Sequence, residues 1–143
     1  MHKFFLQAAV LMGALAVGLG AFGAHALKRV VSDAVVNIFE TGVRYQFYHV
    51  FALVIAGIFY RDFSNKWMLW AGNLFIIGII LFSGSLYILT WLKASSRPGL
   101  DWVGIITPFG GLAFIAGWVC MFIGFYKTSI CLNILLRFFT KRR

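Results

Sequence analysis

Four long apolar runs, separated by short polar intervals, set the pattern of the chain. The first covers residues 4–25, with Gln7 its sole strongly polar member before His25. A helix rises about 1.5 Å per residue, so about 20 apolar residues cross the hydrocarbon of a bilayer. This run is long enough. Ser32 or Asp33 then predicts an N-cap for a helix from Ala34 onward. That helix starts amphipathic and becomes wholly apolar over 50–60, which predicts an interfacial start and a membrane part at about 43–60. The connector 61–66 is short enough to join antiparallel neighbours. The third run covers 67–92, and a loop with the turn signal Pro98-Gly99 leads to the fourth, 102–126. Pro108, one or two turns inside that run, predicts a kink. The tail from Lys127 mixes Ile130, Leu132, Ile134, Leu135, Leu136, Phe138 and Phe139 with five basic residues. It is too short and too basic to span, and reads as an interfacial helix on an anionic leaflet.

The pattern predicts an all-α membrane protein. It is a four-transmembrane-helix bundle in one domain over 1–143, with an amphipathic start to the second helix and a basic interfacial C-terminal tail. Lys3 and Ala24-His25-Ala26 imitate a signal peptide and its cleavage site. The apolar stretch exceeds the about 7–15 residues of such signals, and Gly13, Gly18, Gly20 and Gly23 interrupt it, so a retained helix is expected.

Composition supports the bilayer as solvent. Hydrophobic residues make up 62% and charged residues 12%, against about 25% charged in ordinary soluble domains. The net charge of +9 sits at run ends and in the tail, with no basic stripe interleaved with solvated aromatics. That excludes nucleic acid as the expected partner and favours anionic lipid headgroups, above all at the tail. Lys3, Arg61, Lys66, Lys127, Arg137, Lys141, Arg142 and Arg143 share one side of a four-span topology. Lys28, Arg29, Arg44, Lys93 and Arg97 share the other. The positive-inside rule then expects both termini in the cytoplasm. Trp67, Trp91, Trp102 and Tyr126 near run ends fit an aromatic belt.

Small residues recur at packing intervals. Ala9, Gly13, Ala16, Gly20 and Gly23 form a seam in the first run. Ala71, Gly78 and Ser85 do so in the third, and Gly110, Ala113, Gly117 and Gly124 in the fourth. Small side chains let helices approach closely where hydrophobicity does not drive them together. Gly20 and Gly117 are expected at tight crossings, with Gly84 and Pro108 counted among the packing positions. Phe, Leu and Ile are expected on the opposite, lipid-facing sides.

The densest polar cluster begins the second helix, with Asn37, Glu40, Thr41, Arg44, Tyr45, Gln46, Tyr48 and His49. Glu40 and Arg44 stand four apart, the better order for an ion pair on a helix. The plain expectation is that they close an interfacial helix end, and that His49 donates to a carbonyl or hydroxyl within the bundle. The sharper one is a substrate or ion site on His25, Glu40, Arg44, Tyr45, Tyr48 and His49, since ionisable groups in a membrane carry function by default. Two histidines at one membrane face lack a third ligand or an attachment motif, so no haem or metal is expected. Ser83, Ser85, Tyr87 and Thr107 offer hydroxyls for interhelical bonds. Cys120 and Cys131 lack a Cys-x-x-Cys spacing and read as small hydrophobes. No nucleophile–base pair, carboxylate pair or phosphate loop can be assembled, so no catalytic residue and no cofactor are expected.

Four motifs in order complete the reading: Gly20-Ala21-Phe22-Gly23-Ala24-His25, Glu40-Thr41-Gly42-Val43-Arg44-Tyr45-Gln46-Phe47-Tyr48-His49, Leu81-Phe82-Ser83-Gly84-Ser85-Leu86-Tyr87, and Ile106-Thr107-Pro108-Phe109-Gly110-Gly111 through Ala116-Gly117-Trp118. Over about residues 9–125 the chain resembles the membrane-protein family called domain of unknown function 423, which has bacterial members and a small eukaryotic transmembrane relative. The resemblance implies four transmembrane helices in a bacterial inner membrane and no catalytic residue. The tail from Ser129 departs from the family pattern. The leading expectation is a non-enzymatic accessory or assembly subunit of a membrane complex; the expected partner is another membrane protein, or else a second copy in a homo-oligomer. The alternative is a small oligomeric transporter or channel built on Glu40, Arg44 and His49.

Overall fold

The structure, a computed structural model, describes residues 1–95 and 101–140, with side chains over 1–95 and 103–128. The turn at Pro98-Gly99, the side chain of Trp102 and the side chains of the tail beyond Thr128, Cys131 among them, lie outside the described residues. Among the described residues five α-helices follow one another: α1 (Lys3–His25), α2 (Asp33–Phe59), α3 (Lys66–Gly78), α4 (Gly84–Ala94) and α5 (Ile106–Thr140). A single π turn, Ile79–Ser83, joins α3 to α4 into one continuous span. Among the described residues, four stretches are long and apolar enough to cross a membrane: Lys3–Arg29, Asp33–Phe59, Lys66–Ala94 and Val103–Thr128. Among the described residues there is no strand.

The fold is a four-transmembrane-helix bundle. Its second helix is one uninterrupted element from Asp33, so the amphipathic start and the membrane part are continuous. Ser32 holds the extended N-cap conformation but makes no side-chain cap bond. Asn65 caps α3 fully, accepting from the backbone N–H groups of Trp67 and Met68 at 3.0 and 3.1 Å. Its amide also donates to the Gly124 carbonyl and to Thr128 Oγ1, both at 3.0 Å, which pins the connector to the end of the fourth span.

Pro108 does not kink a helix. The α-helix begins at Ile106, after a 3-10 turn over Asp101–Ile105. Pro108 therefore lies in the first helical turn, where backbone N–H groups have no intrahelical acceptor to lose. The backbone of α5 then runs on as helix through the start of the basic tail to Thr140.

α1 packs on α2, α2 packs on α3 and α4, and α3 packs closely on α5. Half of the α2 span is buried, against 17% of the α1 span, so α2 is the enclosed helix and α1 the outlying one. The main core gathers Phe5, Ala9, Val50, Leu53, Ala56, Met68, Ala71, Phe75, Ile79, Phe114 and Met121. A smaller cluster of Leu27, Val36, Phe39 and Val43 closes the end where α1 meets α2.

Aromatic rings fill several of the gaps left by glycines. A Cβ on Gly117 would lie 2.7 Å from the Phe75 ring, and one on Gly23 2.9 Å from that of Phe39. Gly78 takes Phe114, Gly72 takes Phe5, and Gly110 lies against the backbone of Phe82. The expectation that phenylalanines face lipid is thus corrected for Phe5, Phe39, Phe75 and Phe114, which are buried. Phe4, Phe22, Phe51, Phe109 and Phe122 do point outward. Gly20 is not at a tight crossing, because a Cβ there would meet Val43 at an ordinary 3.5 Å. At Gly13 the distance to Val50 is 3.4 Å, and at Gly84 the space is open.

Candidate functional site

The polar residues that begin α2 diverge around the helix. Glu40 faces back to the turn after α1 and pairs with Lys28 at 3.7 Å. Glu40 and Arg44 do not form the ion pair their spacing suggested, since the carboxylate is drawn to the lysine brought alongside by the 3-10 turn Leu27–Arg29. Both partners of the Lys28–Glu40 pair are largely solvated, so it adds at most about 1 kcal/mol. His25 is exposed at the end of α1, and Arg44 and Tyr48 point outward. Thr41 is occupied locally, donating to the Asn37 carbonyl at 2.8 Å. Tyr45 lies half outside, its ring stacked on Phe82 at 4.6 Å.

His49 points the other way, into the bundle. Its Nδ1 is 2.8 Å from the Tyr45 carbonyl, and its Nε2 accepts from the Trp118 indole N–H at 3.3 Å. A carbonyl only accepts and an indole N–H only donates, so this pairing fixes the neutral tautomer with its proton on Nδ1. The ring lies flat on Phe114, with centroids 3.4 Å apart and planes 6° apart. Both nitrogens are engaged, leaving no lone pair for a haem iron or a metal. Among the described residues no group of three or more His, Cys, Asp or Glu could hold a metal ion.

Gln46 is the buried polar residue that ties the most elements together. Its amide donates to the Met12 carbonyl of α1 at 2.7 Å, and its oxygen accepts from the Tyr87 hydroxyl of α4 at 2.7 Å. Ser83, wholly buried at the end of the π turn, donates to the Gly42 carbonyl of α2 at 2.8 Å. Ser85 reaches the Phe82 carbonyl at 2.9 Å and Thr107 Oγ1 at 2.7 Å, which joins α4 to α5. In a bilayer each such bond removes a polar group from hydrocarbon, and each is worth about 0.5–2 kcal/mol. Among the described residues, the buried side-chain nitrogens and oxygens left without a partner are His2 Nδ1 and Trp67 Nε1, neither in this network.

The outer face of α1 carries a feature that sequence reading passed over. Gln7, Leu11, Ala14, Gly18, Ala21 and His25 are all exposed, at steps of 4, 3, 4, 3 and 4. A groove of about 470 Å³ runs along Leu6, Gln7, Val10, Leu11 and Ala14. The helix thus has a small-residue seam seated on α2 and, on its outer face, a bare row that is small only at Ala14, Gly18 and Ala21. The signal was in the sequence, since Gln7 and Gly18 stand out in an apolar run. The seam seated on α2 at Ala9, Gly13, Ala16, Gly20 and Gly23 has the same period and masked it.

Comparison with known proteins fits this architecture. The family model described as protein of unknown function (DUF423) matches residues 19–111. A UPF0382 membrane protein of Staphylococcus haemolyticus is 41% identical over 87% of this chain and 97% of its own length. YwdK of Bacillus subtilis, another UPF0382 membrane protein, is 39% identical over 87% of this chain and 98% of its own. The UPF0382 inner membrane protein YgdD of Escherichia coli is 36% identical over 85% and 88%. No solved structure matches the chain. With four spans and these relatives, it is an integral, multi-pass membrane protein. The chain belongs to the DUF423 family of membrane proteins.

Proposed function

We propose that this protein is a non-enzymatic accessory or assembly subunit that docks against another membrane protein through the outer face of α1. The single observation that carries this reading is the bare seam from Gln7 to His25 on a helix only 17% buried. Small residues let a second helix approach closely, and the exposed Gln7 amide would find its hydrogen-bond partner there instead of facing lipid tails. The paired interior supports the same reading. A path for ions or solutes needs polar groups left open to the cargo, and Gln46, His49, Ser83 and Tyr87 are committed to one another or to the backbone.

The transporter reading draws support from the same line of buried polar groups around the π turn, since such turns recur at functional sites. It requires those hydrogen bonds to break during a cycle, and an oligomer to enclose the path. Site-specific photocrosslinking in intact membranes separates the two. A photoreactive residue at Leu11 or Gly18 is expected to capture a different membrane protein, while one at Ile88 or Ile115, exposed on other helices, is not. Adducts only between copies of this chain, or equal capture from all four positions, would count against the accessory role.

Both termini are inferred to be cytoplasmic. The basic residues at the end that carries Lys3, Arg61, Lys66 and Lys127, extended by the tail, outnumber those at the other.

A further inference from the structure

We propose that the corner where α3 begins and the fourth span ends is a binding site for one anionic phospholipid, separate from the α1 face and sharing only Lys127 with the basic tail. Two lysines from different helices converge on one ring there. Lys66 Nζ lies 5.9 Å from the centroid of the Trp67 ring, and Lys127 Nζ lies 5.1 Å from it. The hydrogen bonds of Asn65 to Gly124 and Thr128 hold the two helix ends together, so the convergence is built into the fold. Two like charges held at one ring raise the local positive potential, which an anion lowers. No carboxylate does so: among the described residues the one ion pair is Lys28–Glu40, near the turn after α1.

A second observation points from an anion to a lipid. A narrow groove of about 210 Å³ runs down the outside of α3 from Lys66, lined by Leu69, Trp70 and Asn73. Trp70 is 59% exposed along it. Asn73 stands seven residues past Lys66, about 10 Å deeper along the helix axis. It is exposed on the outer face of α3. An amide facing hydrocarbon without a partner is costly. The glycerol and ester oxygens of a phospholipid supply acceptors below the phosphate, and the first acyl carbons suit Leu69 and the Trp70 ring. A phosphate diester at Lys66 and Lys127, an ester oxygen at Asn73 and an acyl chain along Trp70 account for all four residues. Free phosphate accounts only for the lysines.

Native mass spectrometry of the purified full chain in detergent, titrated with phosphatidylglycerol or phosphatidylcholine, tests this. The first phosphatidylglycerol is expected to bind about ten-fold more tightly than phosphatidylcholine. Lys66→Gln with Lys127→Gln abolishes that preference, and Asn73→Leu weakens binding of the first lipid. Lys28→Gln with Arg29→Gln removes the same charge elsewhere and leaves the preference intact. Inorganic phosphate does not displace the lipid. A preference that survives the Lys66/Lys127 change, or falls equally in the Lys28/Arg29 control, would overturn the site. Displacement of the lipid by inorganic phosphate would overturn the lipid as its occupant.

Discussion

Glycine and phenylalanine work in pairs in this protein. Gly117 with Phe75, Gly78 with Phe114, Gly72 with Phe5 and Gly23 with Phe39 each set a missing side chain against a ring. In lipid, such packing is a main source of helix association, because the tails are as apolar as the side chains. The pairs make a sharp contrast testable. Gly110→Leu forces a side chain onto the Phe82 backbone, which cannot move as a side-chain tip can. It is expected to lower stability in detergent by about 1–3 kcal/mol or more. Gly84→Ala points into open space and is expected to leave stability unchanged or raise it by up to about 1 kcal/mol. Equal losses at the two positions in unfolding measurements would refute the close backbone approach at Gly110. The glycine seams were legible in the sequence because their seven-residue repeat is visible without a partner. The ring that fills each one was not. On a helix apolar all round, no polar counter-face marks which phenylalanine turns inward, so Phe75 and Phe122 look alike until the neighbouring helix is in place.

At the level of elements, the spans were legible and their joints were not. The third span reads as one apolar run and is one continuous helix, yet it contains the π turn Ile79–Ser83. Nothing in Ile-Ile-Leu-Phe-Ser announces it. The contacts that go with it are tertiary, with Ser83 reaching across to Gly42 and the Phe82 backbone pressed on Gly110. Pro108 was legible as a helix disturbance, but its place in the first turn depends on where the 3-10 segment ends. The polar cluster at the start of α2 was visible as composition. Its division, with Gln46 and His49 inward and Arg44 and Tyr48 outward, depended on how α4 and α5 approach. Gln46 joins α1, α2 and α4, so its worth belongs to this scale. Gln46→Leu and Tyr87→Phe are each expected to destabilise the bundle. A double-mutant cycle should give a coupling of about 0.5–2 kcal/mol. Additive losses would mean that the bond contributes nothing across the helices.

At the scale of the whole molecule, the polar network of Gln46, His49, Ser83, Ser85 and Tyr87 is closed by its own hydrogen bonds, and the open chemistry faces outward. The bare seam of α1 and the lysine corner at Lys66 and Lys127 are on the surface, where a second protein and a lipid can reach them. Orientation decides which leaflet holds that corner. A green fluorescent protein fused after Arg143 is expected to fluoresce, and alkaline phosphatase at the same place to be inactive. The reverse pair of results would put the corner and the tail on the outer side. The accessory role itself is tested most directly by weighing the particle. The tagged protein, taken from its membrane in native lipid nanodiscs, should show by native mass spectrometry a defined foreign subunit at fixed stoichiometry, and Gly18→Leu should release it. A lone monomer or a homo-oligomer carrying only lipid would contradict the accessory role.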